Sequence, residues 1–141
     1  YRDLLAADRV PVMEGNLAHD DYRGGLSLRV ERVSSFEESR LERATAVDIR
    51  LDESYIREQR WTAIEWAAKL ADVLAPYREG DARVQIYYSR HDAVGVIRLG
   101  CDWLVRPVDE LQRQLIKLFG DDRVKIRYGA KQVREKAAVG L

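Results

Sequence analysis

At 141 residues, with 46% hydrophobic and 34% charged, the chain has the size of one ordinary domain or two small ones and a globular composition, which excludes intrinsic disorder. Its 24 Lys and Arg cancel its 24 Asp and Glu, so no overall field draws it onto nucleic acid or an anionic membrane, and only a local patch could do so. The single cysteine, Cys101, excludes an internal disulfide framework and a cysteine-based zinc site, and no stretch approaches the roughly 18 to 20 apolar residues of a membrane span. No charged-then-apolar signal segment opens the chain. The lone cysteine fits a reducing compartment, so the expectation is a cytoplasmic protein with no membrane partner, and the start at "YRDLLAADRV" without Met reads as a fragment.

In chain order, Val10, Val12 and Glu14 alternate with Pro11 and Met13, and Leu26, Leu28 and Val30 alternate with Ser27, Arg29 and Glu31. Both runs read as half-buried strands. Between them, "HDDYRGG" sets His19, Asp20 and Asp21 beside Gly24 and Gly25. Ser35 followed by Glu38 forms a capping-box pattern that predicts a short helix ending near Arg43.

A second block opens with "TAVDIRL", where Val47, Ile49 and Leu51 share one strand face. One helix is then expected over residues 54–75. Ile64, Ala67, Ala71 and Leu74 form its stripe, Ala63, Trp66, Leu70 and Val73 widen it, and Pro76 stops it. "RVQIYYS" and "VGVIRLG" read as a hairpin around "RHDA", with Val84, Ile86 and Tyr88 on one face. Leu111, Leu115 and Leu118 predict a helix entered at Pro107 and closed by Gly120. "RVKIRY" is a last strand with Val124, Ile126 and Tyr128 inward. The fold class is therefore α+β, and the order strand, helix, strand, strand, helix, strand matches a ferredoxin-like β-α-β-β-α-β domain. Residues 129–141 carry an excess of basic groups and read either as a solvated tail or as a basic interaction arm.

Chemistry-bearing patterns are sparse. Paired carboxylates bind Mg²⁺ or share acid/base work, but adjacent residues of an extended chain point to opposite faces, so Asp20 and Asp21 read as a turn. His19 and His91 have no Cys or His at metal-ligand spacing and read as surface residues. Cys101, in "LGCDW", reads as a small half-buried residue at a strand edge. No phosphate-loop, nucleophile-elbow or zinc-protease motif occurs. Trp66 reads as core, whereas Trp61 and Trp103 read equally as core or as interface anchors.

Two stretches resemble the α subunit of bacterial DNA polymerase III, of the proteobacterial type. "VMEGNLAHDDYRGGLSLRVERVSSFEESR" is similar to the end of its OB-fold region, through Gly15, Asp20, Asp21, Tyr22, Gly24, Gly25 and Arg40. "PYREGDARVQIYYSRHDAVGVIRLGCDWLVRPVDELQRQLIKLFGDDRVKIRY" resembles its extreme C-terminal domain, through Pro76, Tyr77, Asp92, Ala93, Leu99, Gly100, Trp103, Val105, Pro107, Asp109, Leu111, Leu118, Gly120 and Val124. The chain departs from the family at Tyr22 and Arg23, where Phe-Ser is common, and in its longer tail from Gly129. It also departs at Val108, where a Ser or Thr cap is usual; the lost cap should weaken that helix start by roughly 1 kcal/mol, partly offset by Asp109 and Glu110.

The resemblance implies residual OB-fold strands in residues 1–43, a C-terminal τ-binding domain in residues 44–128 and a basic tail in residues 129–141. The parent is then a DNA-directed DNA polymerase, a nucleotidyltransferase whose Mg²⁺-binding carboxylates lie in a domain absent here. This fragment is non-catalytic and holds no cofactor, and it docks onto the τ subunit of the clamp loader during replication. Leu115, Phe119, Ile126, Tyr128 and Trp103 are the candidate τ contacts, with Phe119 taken as partly exposed or as core. Tyr22, Arg23, Arg29 and Arg32 are the candidate contacts to single-stranded template DNA, although Arg29 and Arg32 fall on opposite faces of a regular strand. Two alternatives are a single-stranded DNA-binding module and a ferredoxin-like regulatory domain for a small ligand.

Overall fold

A computed structural model describes Leu5 and residues 9–129. The predicted tail falls outside the described residues except for Gly129. The described residues form two compact units that divide between Glu42 and Arg43.

The first unit is an antiparallel ribbon of β1 (Pro11–Asp20) and β2 (Gly25–Ser35), followed by helix α1 (Phe36–Arg43). The tip is the predicted turn. Tyr22 N donates to Asp20 Oδ1 at 3.0 Å, Gly24 N donates to Asp20 O at 2.9 Å, and Gly24 takes the left-handed φ of 65° that glycine tolerates best. The capping box forms as expected: Glu38 N donates to Ser35 Oγ and Ser35 N to a Glu38 carboxylate oxygen, both at 3.1 Å. A bulge between Glu14 and Gly15 pairs Glu14 with Arg32 but Gly15 with Val30, which leaves Glu31 unpaired. A Cβ on Gly15 would lie 2.0 Å from Arg29 O, so this close approach requires glycine. The strands are not half-buried: Leu17 is 71% exposed, Leu26 73% and Leu28 49%. Alternation created an apolar face, but among the described residues of this unit no second layer covers it.

The second unit is a four-stranded mixed sheet of β3 (Ala44–Asp52), β4 (Arg83–Ser89), β5 (Val94–Arg98) and β6 (Val124–Tyr128), in the order β5-β4-β3-β6. The α+β class holds, but the ferredoxin-like arrangement does not. In that split plan a further strand separates the two strands joined by the first crossover, whereas β3 and β4 here pair directly and in parallel. Element order leaves strand order open, because both arrangements bury the same apolar face of each strand.

The helix expected over residues 54–75 is two helices. α2 (Glu53–Gln59) ends at Arg60, whose φ of 54° is left-handed, and α3 (Ala63–Leu74) begins after Thr62. Glu65 N donates to Thr62 Oγ1 at 3.2 Å and Thr62 N to Glu65 Oε2 at 2.8 Å, so a second capping box restarts the chain as a helix. The restart rotates the stripe. Leu70 and Leu74 are buried and Trp66 and Val73 partly so, while Ile64 is 82% exposed and Ala67 faces solvent.

α4 (Asp109–Phe119) starts at Val108 without a side-chain cap and stops at Gly120, whose φ is 104°. Leu111, Leu115 and Phe119 form its buried stripe, with Leu118 only partly covered. One sheet face, carrying Val47, Ile49, Leu51, Val84, Ile86, Val124 and Ile126, joins these helical side chains in a single core. Tyr128 does not turn inward; it is 47% exposed at the strand end. Cys101 is likewise exposed, in a single 3-10 turn (Cys101–Trp103) rather than at a strand edge.

Candidate functional site

The break between α2 and α3 shapes an apolar groove of about 370 Å³ over the sheet. Ile56 and Trp61 come from the end of α2 and the linker, Trp66 from α3, and Ile86, Tyr88 and Ile97 from β4 and β5. Arg60 in the left-handed region swings the chain so that Trp61 leaves the helical path and lines the groove instead. Lys69, two turns into α3, lies 4.7 Å from the Trp61 ring centroid and holds the indole by a cation–π contact. Trp66 forms the inner wall. Its ring centroid is 6.0 Å from that of Phe119, and its Nε1 is buried without a hydrogen-bond partner among the described residues.

The electrostatics around the groove fix its frame. The Thr62 backbone N–H, and then its hydroxyl, hold the Glu65 carboxyl below the usual range, so Glu65 caps α3 as a carboxylate at neutral pH. At the start of α2, Tyr55 N donates to Asp52 Oδ1 at 2.8 Å and Arg123 Nη1 lies 3.1 Å from Asp52 Oδ2; these two contacts, in that order, lower the Asp52 pKa. Tyr55 Oη donates to Leu118 O at 2.7 Å, which ties α2 to α4, and burial raises its pKa.

The residues that the sequence singled out as τ contacts are not gathered on one surface. Leu115, Phe119 and Ile126 are core, at 1%, 3% and 9% exposure, so Phe119 is not the partly exposed anchor. It fills the junction between Tyr55 and Trp66, with centroids at 6.1 and 6.0 Å. Trp103 is half-buried beneath Arg78, whose guanidinium carbon is 4.4 Å from its ring centroid and whose Nε donates to Asp102 O at 2.7 Å. Tyr128 alone keeps a largely exposed ring.

In the ribbon, Tyr22 is fully exposed at the tip and Arg23 beside it is exposed. The bulge puts Arg29 and Arg32 on one face after all, because their partners Asn16 and Glu14 are two residues apart on β1. Arg32 is ion-paired with Glu42, whereas Arg29 faces Asn16. Among the described residues no three His, Cys, Asp or Glu converge as metal ligands, and no helix is long and apolar enough to cross a membrane.

The groove itself was missed by the sequence reading. Its signal was the T-A-I-E run at Thr62–Glu65, a capping box inside an apparently continuous helical stripe.

Residues 69–120 match the family model for the C-terminal domain of DNA polymerase III subunit alpha. The chain is similar to the C-terminal region of that subunit. It is 32% identical to DNA polymerase III subunit alpha of Escherichia coli K12 over 128 residues, covering 91% of this chain and 10% of the relative. The subunit of Vibrio cholerae is 30% identical over 128 residues, with the same coverage, and that of Pseudomonas aeruginosa 32% over 127 residues, or 90% of this chain and 10% of the relative. The chain thus spans about a tenth of the length of the curated relatives it matches. The matched segment runs from the second half of α3 to the end of α4 and contains Trp103, Leu115, Phe119 and the groove residues Ile86, Tyr88 and Ile97.

Proposed function

We propose that this chain is the C-terminal docking module of a replicative DNA polymerase α subunit, and that its sheet unit binds the τ subunit of the clamp loader. The observation that carries the reading is the apolar groove beside Trp61, on the unit that contains the segment matched to the C-terminal domain family. A half-exposed tryptophan at the mouth of an apolar groove is the usual form of a binding anchor. Docking raises the effective concentration of the polymerase at the fork, which explains how a module without catalytic groups contributes to replication. Polymerase activity, its Mg²⁺ and the cytoplasmic setting belong in this reading to the longer parent protein.

Of the τ contacts expected from sequence, Tyr128 and Trp103 lie outside the groove lining, while Leu115, Phe119 and Ile126 act by holding the fold. The ribbon corresponds to the last strands of the OB region. The bulge that aligns Arg29 with Arg32 favours a secondary role there in contacting single-stranded template, together with Tyr22 and Arg23. Titration calorimetry of the chain with the C-terminal domain of τ tests the main reading. Binding should survive moderate salt and weaken at least about tenfold, or roughly 1.4 kcal/mol, in Trp61→Ala. No τ binding would refute the docking role, whereas binding that ignores Trp61→Ala would refute only the groove.

A further inference from the structure

The sheet of the second unit has two unlike faces. Paired residues share a face, so the register assigns the face away from the helices to Arg83, Ala46 and Arg127 in one row, Arg98, Gln85, Asp48 and Lys125 in the next, and Val96, Tyr87 and Arg50 in the third. Each of these three rows carries a cation, and the fourth, Val94, Ser89 and Asp52, carries none. The carboxylates on this face are already engaged: Asp48 is buried and lies 2.7 Å from Arg127 Nε, and Asp52 pairs with Arg123. Arg50, Arg83, Arg98 and Lys125 have no carboxylate partner among the described residues, so the face is locally cationic although the whole chain is neutral.

At the centre of this face Ala46, Asp48 and Gln85 are buried, and polar contacts tie the longer side chains together around them. Tyr87 Oη donates to Gln85 Oε1 at 2.9 Å, Arg127 Nη2 donates to the same oxygen at 3.2 Å, and the Arg50 guanidinium carbon lies 6.0 Å from the Tyr87 ring centroid. Where the parallel strands β3 and β4 end, a cavity of about 440 Å³ is lined by Arg50, Tyr87, Ser89, Val94 and Arg123 together with two carboxylates, Asp52, which is paired with Arg123, and Asp122. An aromatic ring with apolar neighbours, surrounded by guanidinium and ammonium groups, suits a ligand that alternates flat bases with phosphates. An acidic peptide would satisfy the cations but make no use of the ring.

We propose that the exposed long side chains of this sheet face form a platform for single-stranded nucleic acid, with Tyr87 stacking a base and Arg50, Arg98 and Lys125 holding phosphates. It is separate from the ribbon, whose Arg32 is already paired with Glu42. The proposal does not depend on τ docking.

The test is fluorescence anisotropy of the chain with a labelled oligothymidylate of about 12 nucleotides, read against salt. The triple variant Arg50→Gln, Arg98→Gln, Lys125→Gln should weaken binding more than about tenfold and flatten the logarithmic salt slope by about 2, since each phosphate contact on a single strand contributes about 0.7. Tyr87→Leu should weaken binding about tenfold with the slope unchanged, which loss of charge would not mimic. Circular dichroism checks that both variants keep their fold. Three results would each overturn the proposal: no binding by the wild-type chain, a triple variant within twofold of it while Arg23→Gln with Arg29→Gln abolishes binding, or polyglutamate displacing the oligonucleotide as well as unlabelled DNA does.

Discussion

The ribbon and the sheet unit are built from equally regular alternation, yet only one of them has an inside. In β1 and β2, Leu17 and Leu28 pair across the strands and both remain largely exposed. In β3 and β4, Ile49 and Ile86 pair in the same way and are 0% and 2% exposed, because α3 and α4 lie over them. Alternation therefore determines which side chains share a face, while burial depends on whether another layer is supplied.

The sharpest way to probe this difference is to remove a methyl-rich side chain from each unit. Leu111→Ala, at a position with 0% exposure, should cost about 2–5 kcal/mol, whereas Leu17→Ala should stay within about 0.5 kcal/mol; urea denaturation monitored by tryptophan fluorescence compares them. All three tryptophans lie in the sheet unit, so the probe reads that unit's stability. A loss in Leu17→Ala as large as that in Leu111→Ala would contradict the exposed place given to Leu17.

A smaller, local effect is expected from Gly15→Ala. The added Cβ must displace the Arg29 carbonyl, which should destabilise the ribbon by about 1–3 kcal/mol, seen as faster amide exchange across β1 and β2 with the sheet unit's melting unchanged. Gly25→Ala, which meets nothing within 4 Å, should leave exchange as it was.

The smallest effect separates the units by pH. The folded pKa of Asp52 is lowered, so its charge stabilises the sheet unit fully above the ordinary carboxylate value of about 3.9, and that stability is lost as pH falls through the lowered value. Asp52→Asn keeps a capping oxygen but not the charge. It should melt below the wild type at neutral pH, and the gap should close in acid; a gap that persists at low pH would place the effect in shape rather than charge.

What could be read in advance follows the same division. The Asp-Gly turn, the Ser35–Glu38 capping box and the faces of β3, β4 and α4 were legible, because each depends on neighbours within a few residues. Strand order was not, since it depends on which edge the chain returns to after a crossover. The groove was hidden because Arg60 interrupts a helical stripe without a Gly or Pro to mark the break, and only Thr62 with Glu65 signalled it. Phe119 was left open between a partly exposed anchor and core, and the structure resolves it as core, at 3% exposure and 6.0 Å from the Trp66 ring. The shared face of Arg29 and Arg32 needed the bulge at Glu31, which Gly15 hinted at only through its lack of a side chain.

The central claim is that the groove between the two helices docks the clamp loader. Its most direct measurement is the calorimetric affinity of the chain for the C-terminal domain of τ, wild type against Trp61→Ala and Ile97→Ser, at moderate salt. The account predicts binding that changes little with salt and falls at least about tenfold in each variant while melting temperatures hold. Wild-type binding that both variants reproduce, or the absence of any binding, would contradict it.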